Sequence, residues 1–138
     1  MQRTKLTFTS LLLLAVLLFS FSACQAPDPW ADAIYTADTT LGEGATTFTF
    51  EVVCDEHKVT FTINTDKEIL GDALIELGLV AGEDSAYGLY VKRVNGVLAD
   101  YDQGGYWWAL YVNGEGAPVG VDSTPVEAGT TYRFARTK

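Results

Sequence analysis

The 138-residue chain carries 9 Lys and Arg against 18 Asp and Glu, a net charge of −9. That excess of acid repels phosphates and leaves no basic patch, which excludes nucleic acid and anionic lipid headgroups as partners of the protein surface. The length suits one domain with a modest core, and the field favours cationic or neutral partners.

The chain opens as an export leader. Arg3 and Lys5 precede the apolar run from Leu11 to Phe19, and the small residues Ser22 and Ala23 lead to Cys24. A basic start, a short apolar stretch and small residues at a cut site make a signal peptide of residues 1–23, too short for a membrane span. Phe21-Ser22-Ala23-Cys24 resembles the bacterial lipobox, with Phe21 where that pattern prefers Leu. The resemblance implies lipidation at Cys24 and an extracytoplasmic protein tied to the membrane through its lipid chains. Loss of Arg3 and Lys5 with the leader takes the net charge to −11.

Residues 24–45 hold prolines, glycines, small residues and acids without an apolar period, which predicts a flexible tether. As a coil of about 20 residues it would span roughly 25 Å. Trp30 and Tyr35 are either sticky points on that tether or packed on the domain.

The folded part is expected over residues 46–138. Thr47–Cys54 and Lys58–Ile63 alternate with period two and read as a hairpin turned at Asp55-Glu56-His57. Cys54, the one cysteine left after the leader and anchor, falls on the apolar face, where it serves as a small hydrophobe. Thr65-Asp66-Lys67-Glu68 fits a capping box before a helix whose Leu70, Ala73, Leu74 and Leu77 share a face, with Gly78 as its stop. Tyr87–Val94 and Val97–Asp100 flank Asn95-Gly96, a type I′ hairpin signal; Tyr106–Val112 ends at Asn113-Gly114; Thr131–Arg136 gives a last strand. Two strands, one helix and about four short strands indicate an α+β fold, with one helix packed on a mostly antiparallel sheet.

The adjacent Trp107 and Trp108 must point to opposite faces of their strand. Tyr106, Trp108, Leu110 and Val112 form a uniformly apolar set that should meet the core, whereas Trp107, Ala109 and Tyr111 form a shallow shelf with a ring at each end. Such a shelf suits a flat, partly apolar ligand or a sugar ring. Alternatively, Trp107 and Tyr111 cover a cross-strand neighbour such as Tyr90.

No catalytic set emerges. His57, the single histidine, stands in a predicted turn among charges and has no partner for a triad or a zinc site. Asp100-Tyr101-Asp102-Gln103-Gly104 has two acids of a calcium loop but lacks the third acid and the closing Glu, and reads as a polar turn. Ser85 and Ser123 have no base in sight. No metal ligands are assigned.

The run "TDKEILGDALIELGL", then "YGLYVKRVNG", "YWWALYVNG" and "PVGVDSTPVEAGTTYRF" resembles a bacterial extracytoplasmic domain family named for its similarity to the C-terminal domain of transcobalamin and intrinsic factor. The likeness runs over residues 46–136 and implies a β-grasp-like fold. Trp108 matches the family's Trp and Trp107 replaces its Tyr. In the animal carriers the similar region touches cobalamin, which they clasp against a helical barrel that this sequence lacks. The resemblance therefore implies a ligand surface of Trp107, Trp108 and Tyr111, the loop residues Pro118 and Val119, and a rim from Tyr87 and Leu89. Two functions follow. One is a lipid-anchored module that captures a small ligand, such as cobalamin or another corrinoid, for a membrane transporter, with no further cofactor. The other is a cell-surface domain that holds a protein or a glycan.

Overall fold

The computed structural model describes residues 27–138. The expected leader and the expected lipidation site, Cys24, lie outside the described residues. The fold is α+β, built on two sheets. A six-stranded mixed sheet is formed by β1 (Thr39–Leu41), β2 (Thr46–Cys54), β3 (His57–Thr65), β7 (Trp107–Val112), β8 (Glu115–Gly116) and β9 (Thr131–Thr137), in the order β1-β3-β2-β9-β7-β8. A smaller antiparallel sheet holds β4 (Val80–Ser85), β5 (Gly88–Val94) and β6 (Val97–Leu98). One helix, α1 (Leu70–Glu76), joins the first hairpin to the small sheet.

The period-two alternation sets the main core. Phe48, Phe50, Val52 and Cys54 of β2 meet Val59, Phe61 and Ile63 of β3 and Tyr132 and Phe134 of β9, all fully buried or nearly so. Burial pushes the Cys54 thiol pKa up, with Asp55 adding to the effect, so the side chain stays a neutral hydrophobe. The two-residue turn needs Asp55 at φ 54°, a left-handed conformation that Asp tolerates better than most. β2 and β9, adjacent at the sheet centre, run parallel, with Thr49 opposite Thr131.

The outer face of that ladder holds one nearly buried charge. Glu51 accepts from Arg133 at 3.3 Å and pairs with Lys58. Burial pushes the Glu51 carboxyl up, but the Lys58 hydrogen bond and the charges of Arg133 and Lys58 outweigh it, and the net shift is below the ordinary 4.5. A carboxyl depressed in the folded state contributes stability that is complete above its unfolded pKa and lost as pH falls through the folded value. Urea midpoints measured below pH 4.5 should therefore fall less steeply in Glu51→Gln than in the parent. Equal slopes would remove Glu51 from the acid response.

The structure changes four expectations. The predicted tether is not loose over its described part. Residues 29–32 form a 3-10 turn, Trp30 stacks on His57 with ring centroids 4.9 Å apart, Tyr35 meets Phe61 edge-on, and β1 pairs parallel with β3. The cause is Asn95, buried in the β5–β6 turn: its amide accepts from the Tyr35 N–H and donates to the Tyr35 carbonyl, both at 2.9 Å. His57 accordingly sits at the start of β3 under an indole, not in a solvated turn.

The capping box does not form. Thr65 ends β3 and its hydroxyl accepts from the Lys67 N–H, while the helix starts after Ile69 without a side-chain cap. Its first N–H, on Leu70, donates to the Thr124 carbonyl instead. The stop behaves as expected: Gly78 takes φ 70°, with Leu79 N–H on Leu74 O and Gly78 N–H on Ile75 O, a Schellman pair. Finally, β4 carries no apolar alternation to reveal it, because all but Val80 is exposed. It makes β5 and β6 part of a separate sheet rather than of one continuous sheet.

Candidate functional site

The site follows from how β7 is paired. On one edge β7 pairs with β9 from Trp107 to Val112. On the other it pairs with β8 only at Tyr111 and Val112, because the Asn113-Gly114 turn (φ 49° and 85°) is followed by just two ladder residues. Among the described residues the edge from Trp107 to Ala109 therefore has no strand partner, and β5 of the small sheet lies across from it. The gap is an open cleft of about 360 Å³, within the size range of small-molecule sites.

The tryptophan pair splits as alternation demands. Trp108 is 6% exposed and joins the core, its indole N–H donating to the Lys92 carbonyl at 3.2 Å, a bond that ties the two sheets together. Trp107 is 43% exposed. Both rings nevertheless line the cleft, because it opens on the strand's edge rather than on one face. Tyr111, Leu89 and Val119 line it too, with Val119 exposed at the rim and Val121 buried in the floor. The chain between Gly116 and Val121 is folded back by the Ala117 N–H on the Leu110 carbonyl, which brings loop and shelf to one edge.

Two expected rim residues lie elsewhere. Tyr87 occupies the β4–β5 turn, 98% exposed, and Pro118 is exposed; neither lines the cleft. Val91 and Phe134 line it and were not singled out from the sequence; Tyr90, expected only as a ring covered by Trp107, lines it as well. Tyr90 is not a cross-strand neighbour of Trp107 but faces it from the other sheet. Its alternation with Leu89 and Val91 is the one signal that could have placed it there.

The upper end of β5 is fixed by Asp122, whose carboxylate accepts from the Leu89 N–H at 2.9 Å. A Cβ on Gly88 (φ 100°) would stand 2.4 Å from that carboxylate, so only glycine fits.

Beyond Trp107 and Tyr90 the cleft runs into a second recess of about 600 Å³ lined also by Tyr101, Glu83, Lys92, Asp100 and Asp102. Lys92 meets Glu83 at 3.2 Å, and its pKa is raised by that hydrogen bond and charge, with Asp100 and Asp102 adding to the same field. The segment expected to be a polar turn is one: the Asp100 carboxylate accepts from the Asp102 N–H and the Tyr101 carbonyl from the Gly105 N–H. Among the described residues, no group of three or more His, Cys, Asp or Glu is placed to hold a metal ion.

Residues 68–138, more than half of the chain and the part that builds α1 and both walls of the cleft, match the family described as a domain of unknown function (DUF4430). The chain belongs to that family. Among solved structures it is similar to a protein of Ruminococcus gnavus ATCC 29149 described as a candidate metal binding protein, at 28% identity and a TM-score of 0.64, over 68% of this chain and 98% of that one. It is also similar to haptocorrin in complex with Cbi, at 16% identity and a TM-score of 0.54, over 71% of this chain and 26% of haptocorrin. The second likeness is one of fold, and the domain is transcobalamin-like in that sense. No curated protein matches the chain.

Proposed function

We propose that this protein is a binding module that captures a small, flat, partly apolar ligand in the cleft between β5 and β7, with a corrinoid as the first candidate. The observation that carries the reading is the unpaired β7 edge, which leaves an apolar trough with one anchored and one exposed indole along a wall. Rigid aromatic area of this kind binds at low entropic cost. The haptocorrin neighbour was solved with Cbi, and the description of the Ruminococcus neighbour also points to holding a ligand. The reading is of binding without catalysis; His57 is stacked under Trp30 and takes no part in the cleft.

The β-grasp-like description belongs to the same reading. It is supported by the parallel pairing of β2 with β9 at the sheet centre and by the single helix that follows the first hairpin. So does location: the protein is exported, anchored through Cys24, and hands its ligand to a membrane transporter. With Trp30 already packed on the domain, only a few residues separate that anchor from the fold, which holds the cleft close to the membrane.

An open cleft covers one side of a large ligand, so affinity without a partner should be micromolar or weaker. Titration of cobalamin and cobinamide, followed by corrin absorbance and tryptophan fluorescence, tests the reading. Trp107→Ala and Val119→Gln should each weaken binding several-fold, Val119→Gln at unchanged urea midpoint and Trp107→Ala with at most a small decrease. No response to any corrinoid, together with quenching by an oligosaccharide panel, would replace this reading with that of a glycan-holding surface domain.

A further inference from the structure

We propose that the recess beside the cleft is a separate recognition site for an organic cation with an alkylated ammonium head, held against the rings of Trp107, Tyr90 and Tyr101 with Asp100 and Asp102 as counter-charge. It shares Trp107 and Tyr90 with the cleft but does not depend on the cleft's own ligand. Three large aromatic side chains stand open to water around one hollow, at 43%, 39% and 63% exposure for Trp107, Tyr90 and Tyr101. Contiguous exposed apolar surface of this sort marks a site more often than an accident.

The charges select the ligand class. Of the three carboxylates that line the recess, Glu83 is engaged by Lys92. Among the described residues neither Asp100 nor Asp102 has an ion-pair partner, so the hollow keeps a net negative field. A ring face attracts a cation through its quadrupole, most strongly for Trp, and an alkylated ammonium leaves water at little cost. A hard metal ion needs six to eight oxygens at about 2.3–2.6 Å, and no such ligand group exists among the described residues. A primary ammonium is a compact, strongly hydrated charge that gives up its water reluctantly, and aromatic walls offer it no hydrogen-bond acceptors in exchange. Aromatic walls with two unpaired carboxylates fit the alkylated head instead.

The test uses tetramethylammonium chloride on the purified protein, at ionic strength held constant with sodium chloride and read by tryptophan fluorescence. A saturable change at low millimolar concentration or below is expected. The neutral isostere 3,3-dimethylbutan-1-ol should bind at least about tenfold more weakly. Tyr101→Ala and Asp102→Asn, both exposed and both outside the cleft lining, should each weaken tetramethylammonium by about tenfold without moving the urea midpoint. Val119→Gln, which touches only the cleft, should leave it unchanged. A linear response like that of sodium, equal binding of the isostere, or full retention in Tyr101→Ala and Asp102→Asn would overturn the proposal. Ammonium binding that persists when no corrinoid binds would remove the cleft reading alone.

Discussion

Trp108→Ala should cost about 3–5 kcal/mol, against about 1 kcal/mol or less for Trp107→Ala. The two indoles are neighbours in sequence and differ only in which way they point. Trp108 is packed into the core cluster, and its loss leaves a large cavity and takes away one of the two donors of the Lys92 carbonyl, which keeps the Ala99 N–H. Its removal also cuts one of the direct ties between the sheets, so the cleft should lose its shape along with the stability. Trp107 gives up mainly exposed area. Urea midpoints at unchanged m-value decide the matter. Equal losses would mean that both rings are buried, and the exposed wall of the cleft would not exist.

Asn95→Ala should be nearly as damaging, at about 3 kcal/mol, although no apolar area changes. The residue is fully buried at φ 51°. Its side chain satisfies both backbone groups of Tyr35, and its own carbonyl accepts from the Ile34 N–H at 2.9 Å. Alanine strands the part-buried N–H and carbonyl of Tyr35 and strains a left-handed turn. Asn95→Gly separates the two effects, since it relieves the strain and still loses the side-chain bonds. In both variants the amides of Ile34 and Tyr35 should exchange with solvent far faster than in the parent. Unchanged exchange there would show that the N-terminal segment is held by Trp30 and β1 instead.

What the sequence made legible was local and periodic. The β2–β3 hairpin, the buried face of α1 and the Asn-Gly turns are written within a few residues of where they act, and the structure places them there. The opposite facing of Trp107 and Trp108 follows from strand geometry alone. The N-terminal segment was misread because its holding contacts come from Asn95, sixty residues away, and composition is blind to such a bond. Thr65 showed a capping pattern, but a hydroxyl can serve only one local geometry, and the end of β3 took it. β4 was hidden for a different reason: an exposed edge strand has no buried face to impose a period. As for the cleft, five of the seven proposed residues line it, while Tyr87 and Pro118 do not. Of the opposite wall only Leu89 was named, because the rest depends on β5 belonging to another sheet.

The parallel pairing of β2 with β9 also sets the order of events when the chain is made. The two central strands of the large sheet come from opposite ends of the domain, so their ladder closes a loop that contains almost everything else. High sequence separation of this kind slows folding, since the entropy of closure is spent before the contacts repay it. Until Thr131–Thr137 is in place, β2 has only β3 beside it, and β7 has no long neighbour at all. The hairpin and the small sheet can form early as local units, but the wall that carries both tryptophans waits for the last strand to arrive.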